Sequence, residues 1–280
     1  MTAYTKMLFA AGVIMALGAC SPGDQADSTL TATETPAAEQ AEAATLTETP
    51  AVAVEADPMA AALAHPDRPA EERTRDASRL PAETLDFAGL EPGMTVLEME
   101  AGGGYFTEII ARVIGADGTL YMQNPPAFDG FLGDSLTVRL GDDRLPNVSV
   151  LRTNFDDLQV EDGSIDLITW IQGPHELWFA PNGQNLGDPA GAFAEITRVL
   201  KPGGRLLLVD HRAADGAGTE AGATLHRIEA SIVEDMAITA GLTKTAESDI
   251  LSREDDPLTA NVFDEAIRGK TDQFVLLFTK

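Results

Sequence analysis

From residue 66 onward the chain alternates short apolar runs with amphipathic stretches of helical spacing. The runs at 95–99, 119–123, 148–153, 165–170 and 205–210 are rich in Val, Ile and Leu, and a sixth lies at 274–279. Continuous apolar runs of this length predict strands covered on both faces. Helical periodicity fills 70–80, 82–88, 105–114, 190–200 and 224–240, and the last two stretches stop near Pro202-Gly203-Gly204 and Gly241. Strands that alternate with helices predict an α/β domain over 66–280 built on a doubly wound, mostly parallel sheet. Ligands of such sheets bind beyond the carboxyl ends of the strands.

The first 65 residues follow a different pattern. Lys6 precedes an apolar run from Met7 to Ala16, shorter than the roughly 20 residues a spanning helix needs. It leads to Leu17-Gly18-Ala19-Cys20, the small-residue site that lipoprotein processing uses, and Cys20 is the only cysteine. Residues 1–20 therefore read as a lipoprotein signal peptide ending before Cys20, the expected lipidation site. Ser21 in place of an aspartate directs such a protein to the outer membrane, on the periplasmic side of the envelope. Residues 21–65 read as a disordered acidic linker, because Ser21 to Asp57 holds eight acidic residues, no basic ones and no aromatic. About 40 such residues reach roughly 35 Å.

Charge narrows the partners. The formal net charge of -26 repels phosphate backbones and anionic headgroups. The expected partners are a small-molecule substrate and a membrane held through the lipid anchor only, with no nucleic acid. A single cysteine, spent on the anchor, leaves no disulfide and no thiolate metal site.

Candidate chemistry begins after the first strand. Glu98-Met99 turns through Glu100-Ala101-Gly102-Gly103-Gly104 into Tyr105-Phe106-Thr107-Glu108, and a glycine-rich strand-to-helix turn lets a ligand approach the backbone. Leu200-Lys201-Pro202-Gly203-Gly204-Arg205-Leu206 and Asp156-Asp157 followed by Ser164-Ile165-Asp166-Leu167-Ile168 complete the set. In order and spacing these segments resemble the class I S-adenosylmethionine-dependent methyltransferases. EMEAGGGYFTEIIARVIG, WIQGPHELWF and KPGGRLLLVDHRA are similar to a bacterial subgroup of that family, many of whose members carry signal peptides.

The resemblance implies a Rossmann-like fold and S-adenosylmethionine as cofactor. It implies that Gly102, Gly103 and Gly104, with Ala101, face the methionine part. Glu98 would order the turn or bind the cofactor amino group, Asn124 would meet the ribose hydroxyls, and Asp156 or Asp157 would lie near the adenine. Glu100 stands where most members have glycine, and Asn124 where most have a carboxylate. Both departures point to weak cofactor binding.

Three histidines fall in the domain, His175 beside Glu176, His211 after Asp210, and His226 beside Arg227. His175 and His211 are candidate general bases, since a near-neutral pKa suits proton removal from an acceptor. The same rings also suit structural hydrogen bonds. With Glu176 they suit a nitrogen and oxygen metal site, although no local spacing motif marks one. Arg212 and Arg227 can bind an anionic substrate group or pair with neighbouring acids. Tyr105, Trp170, Trp178 and Phe179 can wall a pocket or pack the core.

The leading expectation is a methyltransferase acting on a small molecule in the cell envelope, with Tyr105, Glu176, Arg212, His226 and Arg227 toward the substrate. Two alternatives stand beside it. Because S-adenosylmethionine is made in the cytoplasm, one is a ligand-binding lipoprotein that has lost catalysis. The other is a metal-binding envelope protein built on the histidines.

Overall fold

A computed structural model describes residues 57–280; the expected signal peptide, Cys20 and most of the expected acidic linker lie outside the described residues. Seven strands form one sheet: β1 (Thr95–Met99), β2 (Thr119–Gln123), β3 (Val148–Leu151), β4 (Ile165–Ile171), β5 (Leu200–His211), β6 (Thr243–Ser248) and β7 (Gln273–Thr279). Their order is β3-β2-β1-β4-β5-β7-β6. All neighbours are parallel except β7, which runs antiparallel to both β5 and β6.

Successive side chains of a strand point to opposite faces, and here both faces are apolar. Leu97, Ile168, Leu206 and Leu208 join one buried cluster. Val96, Leu167, Leu207 and Val209 join the other. Helices supply the two outer layers, which is why the central strands read as unbroken apolar runs.

Besides four short 3-10 turns, ten α-helices are described. They are α1 (Pro58–Leu63), α2 (Ala70–Arg73), α3 (Asp76–Arg79), α4 (Pro81–Phe87), α5 (Tyr105–Ile114), α6 (Asp129–Leu132), α7 (Ser135–Leu140), α8 (Pro189–Val199), α9 (Glu220–Leu225) and α10 (Ala230–Thr239). None is long and apolar enough to cross a membrane.

Three differences from the sequence reading matter. The linker expected to reach residue 65 gives way at α1, which Asp57 caps by accepting from the Met59 amide and which buries Met59 and Ala62. The stretch 70–80 is broken into α2 and α3, and Leu80 then turns left-handed, with φ 44°, into Pro81. The stretch 224–240 is broken at residues 226–229, where His226 takes φ 54°.

The second helical break has a tertiary cause. The Arg227 guanidinium is fully buried and donates to both carboxylate oxygens of Asp256, each at 2.9 Å, and to the carbonyls of Ala260 and Arg212. Helical dihedrals at 226–228 would break these contacts. The Ile228 amide instead donates to His211, on the end of β5.

Candidate functional site

The glycine turn between β1 and α5 floors a cavity of about 690 Å³ at the carboxyl ends of β1 and β4. That volume is in the range of small-molecule sites. Glu98, Glu100, Ala101, Gly102, Gly103 and Tyr105 all line it, as the sequence suggested. Gly104 sits one residue behind, as the left-handed N-cap of α5.

The turn is held from behind by α7. Arg139 donates to the Gly103 carbonyl and to Glu108, and pairs with Glu72. No atom lies within 4 Å of where a Cβ would stand on Gly102, so a ligand can rest directly on that backbone.

Charges of both signs line this cavity, Arg75, Arg79 and Arg139 together with Glu72, Glu98 and Glu100, with Arg139 paired to Glu72. An amino-acid zwitterion suits such a wall. Burial pushes the Glu98 carboxyl up to about 8, against the opposing hydrogen bond from Thr107 and the charge of Arg139. Glu98 thus holds a proton at neutral pH and can give it up to meet a cation. The arginines were not legible as site residues, because α3 and α7 bring them in from outside the strand-end motifs. A run of Arg73, Arg75 and Arg79 in so acidic a chain was the available signal.

Glu100, where most members of the resembled family have glycine, lines the cavity but turns its side chain toward β4. Its backbone is left-handed, with φ 52°, and its carboxylate crosses toward β4, where it accepts from the Trp170 indole N–H at 3.3 Å. A Cβ on Gly173 would stand 2.2 Å from that carboxylate, so glycine there makes the crossing possible. Burial first, and then the nearby Glu176, raise the Glu100 pKa well above the carboxylate range. Left-handed dihedrals at a non-glycine residue cost about 1–3 kcal/mol. Glu100→Gly is therefore expected to raise stability by about 1 kcal/mol and to leave the cavity floor open. Equal or lower stability in denaturant titrations at neutral pH would contradict this account of the strained turn.

Asn124 does not line the cavity. Its Oδ1 accepts from the Gly102 amide at 2.8 Å and its Nδ2 donates to the Gly102 carbonyl at 3.2 Å, so it serves the turn rather than facing a ribose. Asp156 accepts from the Asp188 amide, and Asp157 is exposed beside Gln159. Neither reaches the cavity. Asp134 and Ser135, ahead of and within α7, do line it.

Arg212 and Arg227 are likewise spent on structure. Arg212 donates to Asp272 at 2.8 Å, and Arg227 is saturated by Asp256 and backbone carbonyls. Of the aromatic candidates, Tyr105 walls the cavity with its hydroxyl held by Asp76 at 2.6 Å. Trp170 packs between Phe155 and Phe193 in the core.

The three histidines converge past the ends of β4 and β5. His175 donates from its ring Nδ1 to Asp210 at 2.8 Å, and its backbone amide donates to the same carboxylate at 2.7 Å. Its Nε2 stands 3.2 Å from Glu176 Oε1 and 3.3 Å from His226 Nδ1. Burial opposes charge on His175, but Asp210 and Glu176 outweigh it and push the pKa up to about 10. His211 behaves oppositely: burial lowers it to about 4, and its Nδ1 pairs with the Thr271 hydroxyl at 2.8 Å. With no metal ion beside it, His175 is held protonated by these carboxylates; a cation at Nε2 would displace that proton. His211 is neutral.

The sheet order with an antiparallel seventh strand, and a ligand cavity on the turn after β1, restrict the comparison to one class of fold. The sequence profile of the methyltransferase domain matches residues 97–208, from within β1 to the apolar centre of β5. Over these residues the chain is similar to the methyltransferase domain family.

A second profile, protein-L-isoaspartate(D-aspartate) O-methyltransferase, overlaps the domain at residues 60–122 and so takes in the helices before β1. The ubiquinone/menaquinone biosynthesis C-methyltransferase UbiE of Shewanella halifaxensis is 31% identical over 133 residues, 45% of this chain and 46% of that protein. Its counterpart in Hydrogenovibrio crunogenus is 30% identical over 132 residues, 45% of each chain. The chain thus spans about half the length of the curated relatives it matches. Among solved structures, a SAM-dependent methyltransferase from Aquifex aeolicus shares the fold, with TM-score 0.53 and 20% identity over 74% of this chain and 95% of that one.

Proposed function

We propose that this domain is a methyltransferase that transfers the methyl group of S-adenosylmethionine to a small-molecule acceptor in the cell envelope. The observation that carries the reading is the cavity on the glycine turn, whose wall of carboxylates and guanidiniums complements the amino-acid half of that cofactor. The cofactor supplies an activated methyl group on a sulfonium, and the protein's task is alignment and charge management.

Glu98 is the partner for the cofactor amino group, and Arg75 and Arg79 are partners for its carboxylate. Gly102 and Gly103 provide a floor without side chains. Toward the acceptor, His211 is the candidate base, a neutral imidazole at the end of β5 with Nδ1 against Thr271, whereas His175 is committed to Asp210. The two departures that pointed to weak cofactor binding have structural roles, since Glu100 meets Trp170 of β4 and Asn124 bonds the Gly102 backbone.

The cellular setting rests on Lys6, the apolar run and Leu17-Gly18-Ala19-Cys20. They support lipidation at Cys20 and a position on the periplasmic side of the outer membrane. The acidic linker would then set the domain away from the membrane surface.

Titration calorimetry of the purified protein with S-adenosylmethionine and S-adenosylhomocysteine tests the activity. One site per chain is expected, and absence of heat up to about 1 mM ligand, a binding free energy near -4 kcal/mol, overturns the reading. For the anchor, Cys20→Ser is expected to move the protein from the membrane to the soluble fraction, and unchanged fractionation refutes it.

A further inference from the structure

We infer that His175, Glu176 and His226 form a binding site for a divalent transition-metal ion, zinc by geometry, beside the cofactor cavity. The three donor atoms are His175 Nε2, Glu176 Oε1 and His226 Nδ1. They stand 3.2 Å, 3.3 Å and 3.3 Å apart, a nearly equilateral triangle. Zinc binds imidazole nitrogen and carboxylate oxygen at about 2.0–2.2 Å in a tetrahedron, which places neighbouring donors about 3.3 Å apart. The triangle therefore has the edge length of one tetrahedral face. Two imidazoles and one carboxylate leave a fourth position open, the arrangement of a zinc site that binds water or substrate.

Hydrogen bonding alone accounts poorly for the cluster. The edges lie at or just beyond the long end of the 2.7–3.2 Å range of N–H···O bonds, and if both imidazoles donated to Glu176 Oε1 their N–H groups would face one another across 3.3 Å. Glu176 Oε2 is buried with no hydrogen-bond partner. An unpaired buried carboxylate oxygen is costly, and a second metal contact through it is one way to satisfy it.

The surroundings are those of a supported site. His175 Nδ1 is committed to Asp210, which orients the ring and leaves Nε2 facing the triangle. A carboxylate behind a ligating histidine is the common outer support of metal centres. His226 is held in its left-handed conformation by Arg227 on the next residue, and its ring is clamped between Phe179 and Phe263 at centroid distances of 4.7 Å and 4.9 Å.

Helix α9 reaches the turn after β4 only because residue 222 is glycine. A Cβ there would stand 2.7 Å from the His175 carbonyl oxygen. Close packing, a strained backbone and an oriented imidazole thus serve the same three atoms, and no hydrogen-bond role requires all of them.

The inference does not depend on methyl transfer, and its test needs no cofactor. Untagged protein is stripped with chelator, equilibrated with zinc sulfate, dialysed and analysed for metal. One zinc per chain is expected, falling to background in Glu176→Gln and His226→Gln with unchanged circular dichroism. Asp210→Asn is expected to weaken zinc binding by about 10–100-fold. Cobalt loading is expected to give the intense visible bands of a tetrahedral centre, and those bands should vanish in Glu176→Gln. Metal-free wild-type protein, or equal zinc in both ligand variants, overturns the assignment. Occupancy by iron or manganese in preference to zinc overturns the tetrahedral reading.

Discussion

Glu98→Gln is expected to flatten the pH dependence of stability and to weaken S-adenosylmethionine binding by about 10–100-fold. The Glu98 pKa is about 8 in the folded chain against an ordinary 4.5. Below pH 4.5 the group is protonated in both states, so its contribution to stability is fully present there. As pH rises through 8 the folded state must give up that proton, and the contribution is lost. Each pKa unit is worth about 1.4 kcal/mol, so the loss across this window is on the order of several kcal/mol. Glutamine has no proton to lose, and the variant should not show the decline.

The same proton governs binding. A cationic amino group beside Glu98 favours the carboxylate, so the ligand should release a proton and bind more tightly as pH approaches 8. Losing a hydrogen bond to a charged group costs about 1.5–3 kcal/mol, which is the source of the expected fold-change. Calorimetry in buffers of different ionisation enthalpy measures the proton release directly. Equal apparent enthalpies in those buffers would remove Glu98 from cofactor recognition.

Arg227→Met is expected to destabilise the domain by about 3–5 kcal/mol, because it leaves the Asp256 carboxylate buried without its partner. Both side chains are fully buried. In a domain of this size that corresponds to a fall in Tm of roughly 10 °C. Replacing both residues, as in Arg227→Met with Asp256→Leu, should recover much of the loss, since a buried pair contributes little relative to apolar packing. A double-mutant cycle by thermal unfolding separates the two effects. Additive losses would mean that the pair is not the organising contact of this loop.

That contact also marks where the sequence stops being readable. β1, β2 and α5 have the bounds that periodicity predicts, because their signal is local: apolar residues on both faces of a strand, or a helix entered from glycine. β6 carries no such signal. Its residues alternate between exposed and part-buried positions along Thr243–Ser248, and only its partner β7 makes it a strand. The break at His226 is invisible for a related reason, since residues 224–240 keep helical spacing and the force that interrupts them comes from Asp256, far along the chain.

The site divides in the same way. The glycine turn was legible because one segment holds all of it. The histidines were legible singly, but their convergence depends on a tight turn after β4, on α9 packed against it and on the left-handed step at His226. Arg75, Arg79 and Arg139 come from the start of α3, from α3 and from α7, whose sequence offers no motif. Arg212 and Arg227 looked available for a ligand because their acidic partners Asp272 and Asp256 lie in the irregular stretch before β7.

The position of β7 has a consequence for how the molecule assembles. The strand that comes last in order is slotted between β5 and β6, and its apolar side chains contribute to both cores. Until β7 arrives, β5 offers an open hydrogen-bonding edge of Leu and Val residues, the kind of edge that recruits other chains. Closure requires pairing across long sequence separations, which is slow. The newly made chain should therefore spend its early life dependent on whatever shields that edge, with the final strand acting as the latch that ends the exposure.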